Sequence, residues 1–171
     1  METKTKSSPN PAQPVSNMPE DLVINRVFQL PIAKVWKALT EADEFKKWYG
    51  PKGFTCPHSE MEAKQGAKYL NCMRGPDGKD YWSTGTVKEI ATEKKLVITD
   101  SFSDKDDNII SGTEYGLPGD WPRELLITFE LSEADGATKL RLIHHGVPAP
   151  MYEECKQGWN ESFDKLEENI K

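Results

Sequence analysis

The chain has 171 residues, 28 acidic against 22 basic side chains, a net charge of −6 and a mean hydropathy of −0.69, which suits one domain with a sizeable core. It shows no Lys/Arg cluster that could follow a phosphate backbone and no long apolar run, so neither a nucleic-acid partner nor a membrane span is expected. Three cysteines without a CxxC pair, and an N-terminus without an apolar signal core, lead to the expectation of a reduced, cytoplasmic protein.

Residues 1–21 are Pro, Ser, Asn and Lys with little to bury, the composition of a disordered tail, and an ordered domain is expected over 22–171. LVINRVFQL is β-branched and aromatic and reads as a strand. In PIAKVWKALT, Pro31 suits a helix start, and Ile32, Val35, Trp36 and Leu39 recur at helical spacing on one face. Thr40 with Asp43 resembles a capping box opening a second short helix, EADEFKKWY, which Gly50-Pro51 ends. From Phe54 to His145 six strands are expected: FTCPHSEM, AKYLNCMR, YWSTGTVKEI, KLVITDSF, ELLITFEL and TKLRLIHH. Short turns between most of them predict an antiparallel meander. The connection over 103–122 is too long and polar for a turn. Its first half is expected to be mobile, and its Trp121 either to form a lid at a cavity rim or to cover a strand edge.

The chain ends in a helical stripe of Met151, Tyr152, Cys155, Gly158, Trp159, Ser162, Phe163, Leu166 and Ile170. A mid-helix glycine costs about 1 kcal/mol relative to alanine, so Gly158 implies a close approach of another segment. The class expected is α+β, an antiparallel sheet that buries the stripe of a long C-terminal helix on one face.

Several phrases in this order resemble one family. RVFQLPIAKVWKALT is similar to its strand-Pro-helix opening, FKKWYGPKGF to its Trp-aromatic-Gly-Pro segment, and MRGPDGKDY to its third hairpin. LRLIHHGVP followed by QGWNESFDKLEENI resembles its last strand and Gly-Trp helix. On these the chain is identified as a member of the START-like (SRPBCC) superfamily, in the branch named for the C-terminal domain of the activator of heat-shock protein ninety ATPase. The resemblance implies a helix-grip fold, a curved antiparallel sheet wrapped around the C-terminal helix, and a cavity between them. It also implies a small apolar or amphipathic molecule as partner, or alternatively a heat-shock chaperone in a stress-response role. The eukaryotic activator has a separate N-terminal domain where this chain has about twenty residues, which favours the ligand reading.

Strand alternation sets the candidate lining. Tyr69, Asn71 and Met73 share a face with Ala67, and His144 shares one with Leu140 and Leu142, opposite His145. With these go the aromatics Trp48, Phe54, Trp82, Phe102, Trp121, Trp159 and Phe163, an apolar supply with a few polar anchors of the kind small-molecule sites use. For each aromatic alone, core packing is a sufficient account, and His144 can be a satisfied core histidine. No catalytic, cofactor or metal motif is expected: Cys56, His58 and Cys72 are too loosely spaced for a metal set, GPDG continues into strand, and no GxSxG occurs. An enzyme of the cyclase or hydrolase kind would need an acid–base pair, for which Tyr69 and His144 are the nominees.

Overall fold

The computed structural model describes residues 19–171; the expected tail falls largely outside them. The elements in chain order are β1 (Pro19–Phe28), α1 (Ile32–Thr40), α2 (Ala42–Phe45), β2 (Thr55–Glu60), β3 (Lys68–Arg74), β4 (Asp80–Ala91), β5 (Lys95–Ser103), β6 (Leu125–Ala134), β7 (Ala137–Pro148) and α3 (Tyr152–Asn169). Each expected strand segment forms a strand. The first one starts at Pro19, three residues before Leu22, because its backbone pairs with the end of β7, Pro19 facing Pro148 and Glu20 facing Val147.

The seven strands form one antiparallel sheet in the order β1-β7-β6-β5-β4-β3-β2. Hairpins make every neighbour pair except β1 with β7, so the first strand joins the last at the sheet edge. The two short helices and α3 cover one face, as a helix-grip fold requires.

Local chemistry differs from expectation at the start of α2. Thr40 does not cap it: its hydroxyl donates back to the Trp36 carbonyl at 2.8 Å within α1, as Thr can inside a helix. Glu41 occupies the N-cap without a side-chain bond, and α2 lasts four residues.

The core gathers on the β1–β7–β6 half. Phe163 is fully buried, with its ring 5.5 Å from Phe28, 5.9 Å from Trp48 and 5.6 Å from Trp159. Trp48 is also fully buried, and its indole N–H donates to the Ala38 carbonyl at 2.8 Å. Polar bonds hold the same end of α3. Lys165 Nζ donates to the Pro51 and Phe54 carbonyls at 3.3 and 3.0 Å, Asn169 to the Lys47 carbonyl at 2.8 Å, and Arg26 pairs with Asp164 and Glu167. Toward the N-terminal end of α3 the stripe loosens: Ser162, Phe163 and Leu166 are buried, while Tyr152, Cys155 and Trp159 are only partly so.

Gly158 lies against a loop rather than against the sheet. A Cβ there would stand 3.4 Å from Pro51 Cγ, ordinary contact. Gly158→Ala is therefore expected to leave the fold intact and to raise stability by up to about 1 kcal/mol through helix propensity, measured by urea unfolding. A loss of stability would show a closer approach than this geometry contains.

Candidate functional site

Between the sheet and the N-terminal half of α3 the side chains leave a crevice. Its cavity volume is about 40 Å³, which suits a few waters; a metabolite needs its walls to part. The floor is Val87, Leu96, Ile98, Ile127 and Phe129, α1 and α2 contribute Leu39 and Phe45, the turn after α2 adds Tyr49, residues 61–63 border the opening, and Trp159 lies over it. The ionisable groups on this wall are acidic or phenolic, Tyr49, Glu62, Tyr69 and Asp100.

The polar end of the crevice depends on a glycine. Gly85 of β4 faces Tyr69 of β3, and a Cβ on it would fall 1.9 Å from the Thr99 carbonyl oxygen and 2.5 Å from the Tyr69 ring. With only hydrogen there, the Tyr69 ring lies across β4 and reaches β5, its hydroxyl 2.7 Å from the Thr99 carbonyl and 2.9 Å from Asp100 Oδ1. Side chains complete the ladder at this point: the Thr86 N–H donates to Thr99 Oγ1 at 2.8 Å. Asp100 is thereby fixed on the same face as Leu96 and Ile98.

His144 of β7 stands behind this wall, 7 % exposed. The Trp159 indole N–H donates to its Nδ1 at 3.2 Å. An indole nitrogen can only donate, so Nδ1 is the acceptor and the neutral ring carries its proton on Nε2. That Nε2 has no hydrogen-bond partner and lies 3.7 Å from Asp100 Oδ2, beyond bonding distance. Burial lowers the His144 pKa to about 4 and raises that of Asp100 to about 6, although the Asp100 side chain stays 22 % exposed. Burial also holds the Tyr49 and Tyr69 phenols well up and the Cys155 thiol at about 12.

The residues singled out by sequence separate into groups. Tyr69, Asn71 and Trp159 line the crevice, with His144 behind them. Asn71 is 3 % exposed and accepts from the Ser59 hydroxyl at 2.7 Å. Trp48 and Phe163 belong to the core described above. Phe54, Phe102 and Trp121 join a separate aromatic row, Phe54–Tyr81–Tyr115–Phe102–Trp121, with ring centroids 5.0 to 6.2 Å apart; Met73 is beside it, near Gly50 and Phe54. Trp82 pairs across the ladder with Cys72 and stacks near His58, on the opposite face from Tyr69.

The connection over 103–122, expected from sequence to be mobile in its first half, carries its own bonds. Asp104 accepts the Asp106 and Asn108 N–H groups, Ser103 bridges Ile109, and the Tyr115 hydroxyl links the Ser103 carbonyl to the Trp82 N–H. Trp121 rests on Phe102 and Gly112, over the end of β5. The crevice is lined by none of 103–122.

Sequence reasoning missed Asp100, Tyr49 and Gly85. For Asp100 a signal existed: it alternates in step with Leu96, Ile98 and Phe102 in KLVITDSF, and so belongs to the inward face. Among the described residues no cluster of three metal-ligating side chains forms, and no helix is long and apolar enough to cross a membrane.

A curved antiparallel sheet gripping a C-terminal helix over a crevice defines a START-like, helix-grip protein. The chain belongs to the family described as activator of Hsp90 ATPase homolog 1-like proteins, whose model matches residues 29–171. A crystal structure of a Chromobacterium violaceum protein is similar at 24 % identity and TM-score 0.73, covering 88 % of this chain and 96 % of that one. A solution structure from Arthrobacter aurescens, at 19 % identity, also has TM-score 0.73 and covers 92 % of this chain and 88 % of that one. A Silicibacter pomeroyi protein bearing the same family name, at 21 % identity, has TM-score 0.70 with 87 % and 96 % covered. At these identities the likeness is one of fold. No curated protein matches the chain.

The two shifted pKa values act in opposite senses on stability. His144, lowered from 6.5 to about 4, contributes stability that is complete above 6.5 and is lost as pH falls toward 4. Asp100, raised from 3.8 to about 6, contributes stability that is complete below 3.8 and is lost as pH rises through 6. Between 4 and 6 they offset each other. An asparagine presents the donor and acceptor of the protonated acid, so Asp100→Asn is expected to be more stable than the parent at pH 7.5, on the order of 2 kcal/mol, and to lose stability between pH 6.5 and 4.5 more steeply. Denaturant titrations at these pH values test it; parallel curves for the two proteins would refute the burial of the Asp100 charge.

Proposed function

We propose that the protein binds a small apolar or amphipathic molecule in the crevice between the sheet and the N-terminal half of α3. The observation that carries this reading is uneven packing. The C-terminal half of α3 is anchored by Phe163, Leu166, Lys165 and Asn169, whereas over the crevice Trp159 is only partly buried and its indole has one bond, to His144. Cores are normally filled to crystal-like density, and unfilled apolar space with a few polar groups at one end is the usual form of a ligand site. Trp159 and the 61–63 segment are the parts that can separate to enlarge it. Among the residues chosen from sequence, Tyr69, Asn71, His144 and Trp159 are then the ones nearest the ligand, joined by Tyr49 and Asp100.

Titration with hydrophobic metabolites, followed by amide and indole chemical shifts, tests this. Shifts clustering on Trp159, Val87, Ile98 and the 61–63 segment are expected. Shifts that cluster instead on Phe102 and Trp121 would transfer the site to the second aromatic row.

The family's description favours a second reading, a chaperone-associated module that acts through its surface. It is tested by adding the protein to the Hsp90 homologue of its own organism and measuring ATPase turnover. Unchanged turnover, with no complex at micromolar concentration, removes it; stimulation that survives substitutions in the crevice would establish it in place of the ligand reading.

A further inference from the structure

Resting on the ligand reading above, the geometry points to a hydroxyl group, carried on an otherwise apolar alcohol or phenol, as the part of the ligand recognised at the deep end of the crevice, between Asp100 Oδ2 and His144 Nε2.

The two atoms form an incomplete pair. Among the described residues neither has a hydrogen-bond partner: Asp100 uses Oδ1 toward Tyr69, and His144 uses Nδ1 toward Trp159. The side chain of His144 is 9 % exposed, and leaving its Nε2–H unbonded at that depth is costly. At 3.7 Å the direct bond is not made. An oxygen placed about 2.8 Å from each atom completes both contacts.

The donor pattern chooses among head groups. Trp159 fixes the proton of neutral His144 on Nε2, so that side of the gap offers a donor. Asp100 Oδ2 offers an acceptor. A hydroxyl accepts from one and donates to the other. An ammonium group satisfies Asp100 but confronts Nε2–H with another donor. A carboxylate accepts from His144 but meets the Asp100 carboxyl, with Glu62 at the opening and no Lys or Arg in the lining to balance it. An ether or a plain hydrocarbon leaves Asp100 or both atoms unbonded. The rest of the lining, Val87, Leu96, Ile98, Ile127 and Phe129, specifies an apolar body. Asp100 borders the crevice and His144 lies behind it with Nε2 sealed, so a ligand hydroxyl reaches Nε2 only as the Asp100 and Trp159 side chains move apart.

Tyr69 supports this assignment. Its single proton faces two acceptors, the Thr99 carbonyl and Asp100 Oδ1. It serves Thr99, the nearer, when Asp100 is protonated on Oδ1 and donates in return. Either way Oδ2 stays free to accept.

Two matched series serve as probes: naphthalene, 2-naphthol, 2-naphthylmethylamine and 2-naphthoate, and decane, 1-decanol, decylamine and decanoate, both amines being protonated at the pH used. Affinities are measured near pH 7 by Trp fluorescence and calorimetry, for the parent and for Asp100→Leu and His144→Phe. In at least one series the hydroxyl member is expected to bind about tenfold or more tighter than the hydrocarbon, amine and carboxylate. Both variants are expected to lose that preference, the hydroxyl member then binding no tighter than the hydrocarbon. If a variant fails to fold, as its circular dichroism would show, Asp100→Asn takes its place, with a reduced preference expected. Hydroxyl and hydrocarbon binding equally, at shifts that map to Trp159, would overturn the head-group assignment and leave the ligand reading standing. Tighter binding of the amine or the carboxylate would overturn it too. Failure of both series to bind at their solubility limits would overturn the assignment together with the ligand reading.

Discussion

The contact between Phe163 and its two fully buried neighbours, Phe28 and Trp48, is the constraint on which the rest of the molecule depends. It fixes the C-terminal half of α3 to the sheet edge where the first and last strands meet, and it secures the loop that follows α2 beneath the same helix. Aromatic clusters of this kind contribute burial and ring geometry together. Once this end is closed, the curvature of the sheet carries β3, β4 and β5 away from the helix, and the space that opens falls under Trp159.

At the wall of that space and just behind it stand two groups that rarely occur together in a filled core. Asp100 and His144 are both held away from their ordinary protonation by burial, yet neither is fully bonded. A folding account alone would favour apolar residues at both positions, since an imperfect buried polar pair generally weakens a core. The cost is reduced at Asp100, whose side chain stays partly exposed. Gly85 shows the same priority. Its lack of a side chain weakens β4, and what it permits is the crossing of Tyr69 to Asp100.

Much of this fold was legible from sequence, because period-two and period-3.6 patterns are local. Alternation alone placed His144 inward and His145 outward, where it meets Asp21 at 3.1 Å. The helical stripe from Met151 to Ile170 was likewise readable. What sequence could not supply is depth. Trp48 and Trp159 look alike as aromatics in helical segments, yet Trp48 finds the Ala38 carbonyl ten residues back and is sealed, while Trp159 spans to β7. Phe102 and Trp121 lie in an aromatic row set by the long β5–β6 connection, whose path depends on the Tyr115 hydroxyl bonding two strand ends distant in sequence. Thr40 had the spacing of a cap, but the backbone turned so that its hydroxyl met Trp36 instead.

A ligand in this protein requires unfilled apolar space between the sheet and the N-terminal half of α3. Xenon enters dry apolar cavities without needing a polar partner, so crystals pressurised with xenon probe that space directly. A bound xenon is expected among Val87, Ile98, Ile127 and Phe129, beneath Trp159. Side chains closed over these positions, with xenon absent from them and bound elsewhere in the molecule, would contradict it.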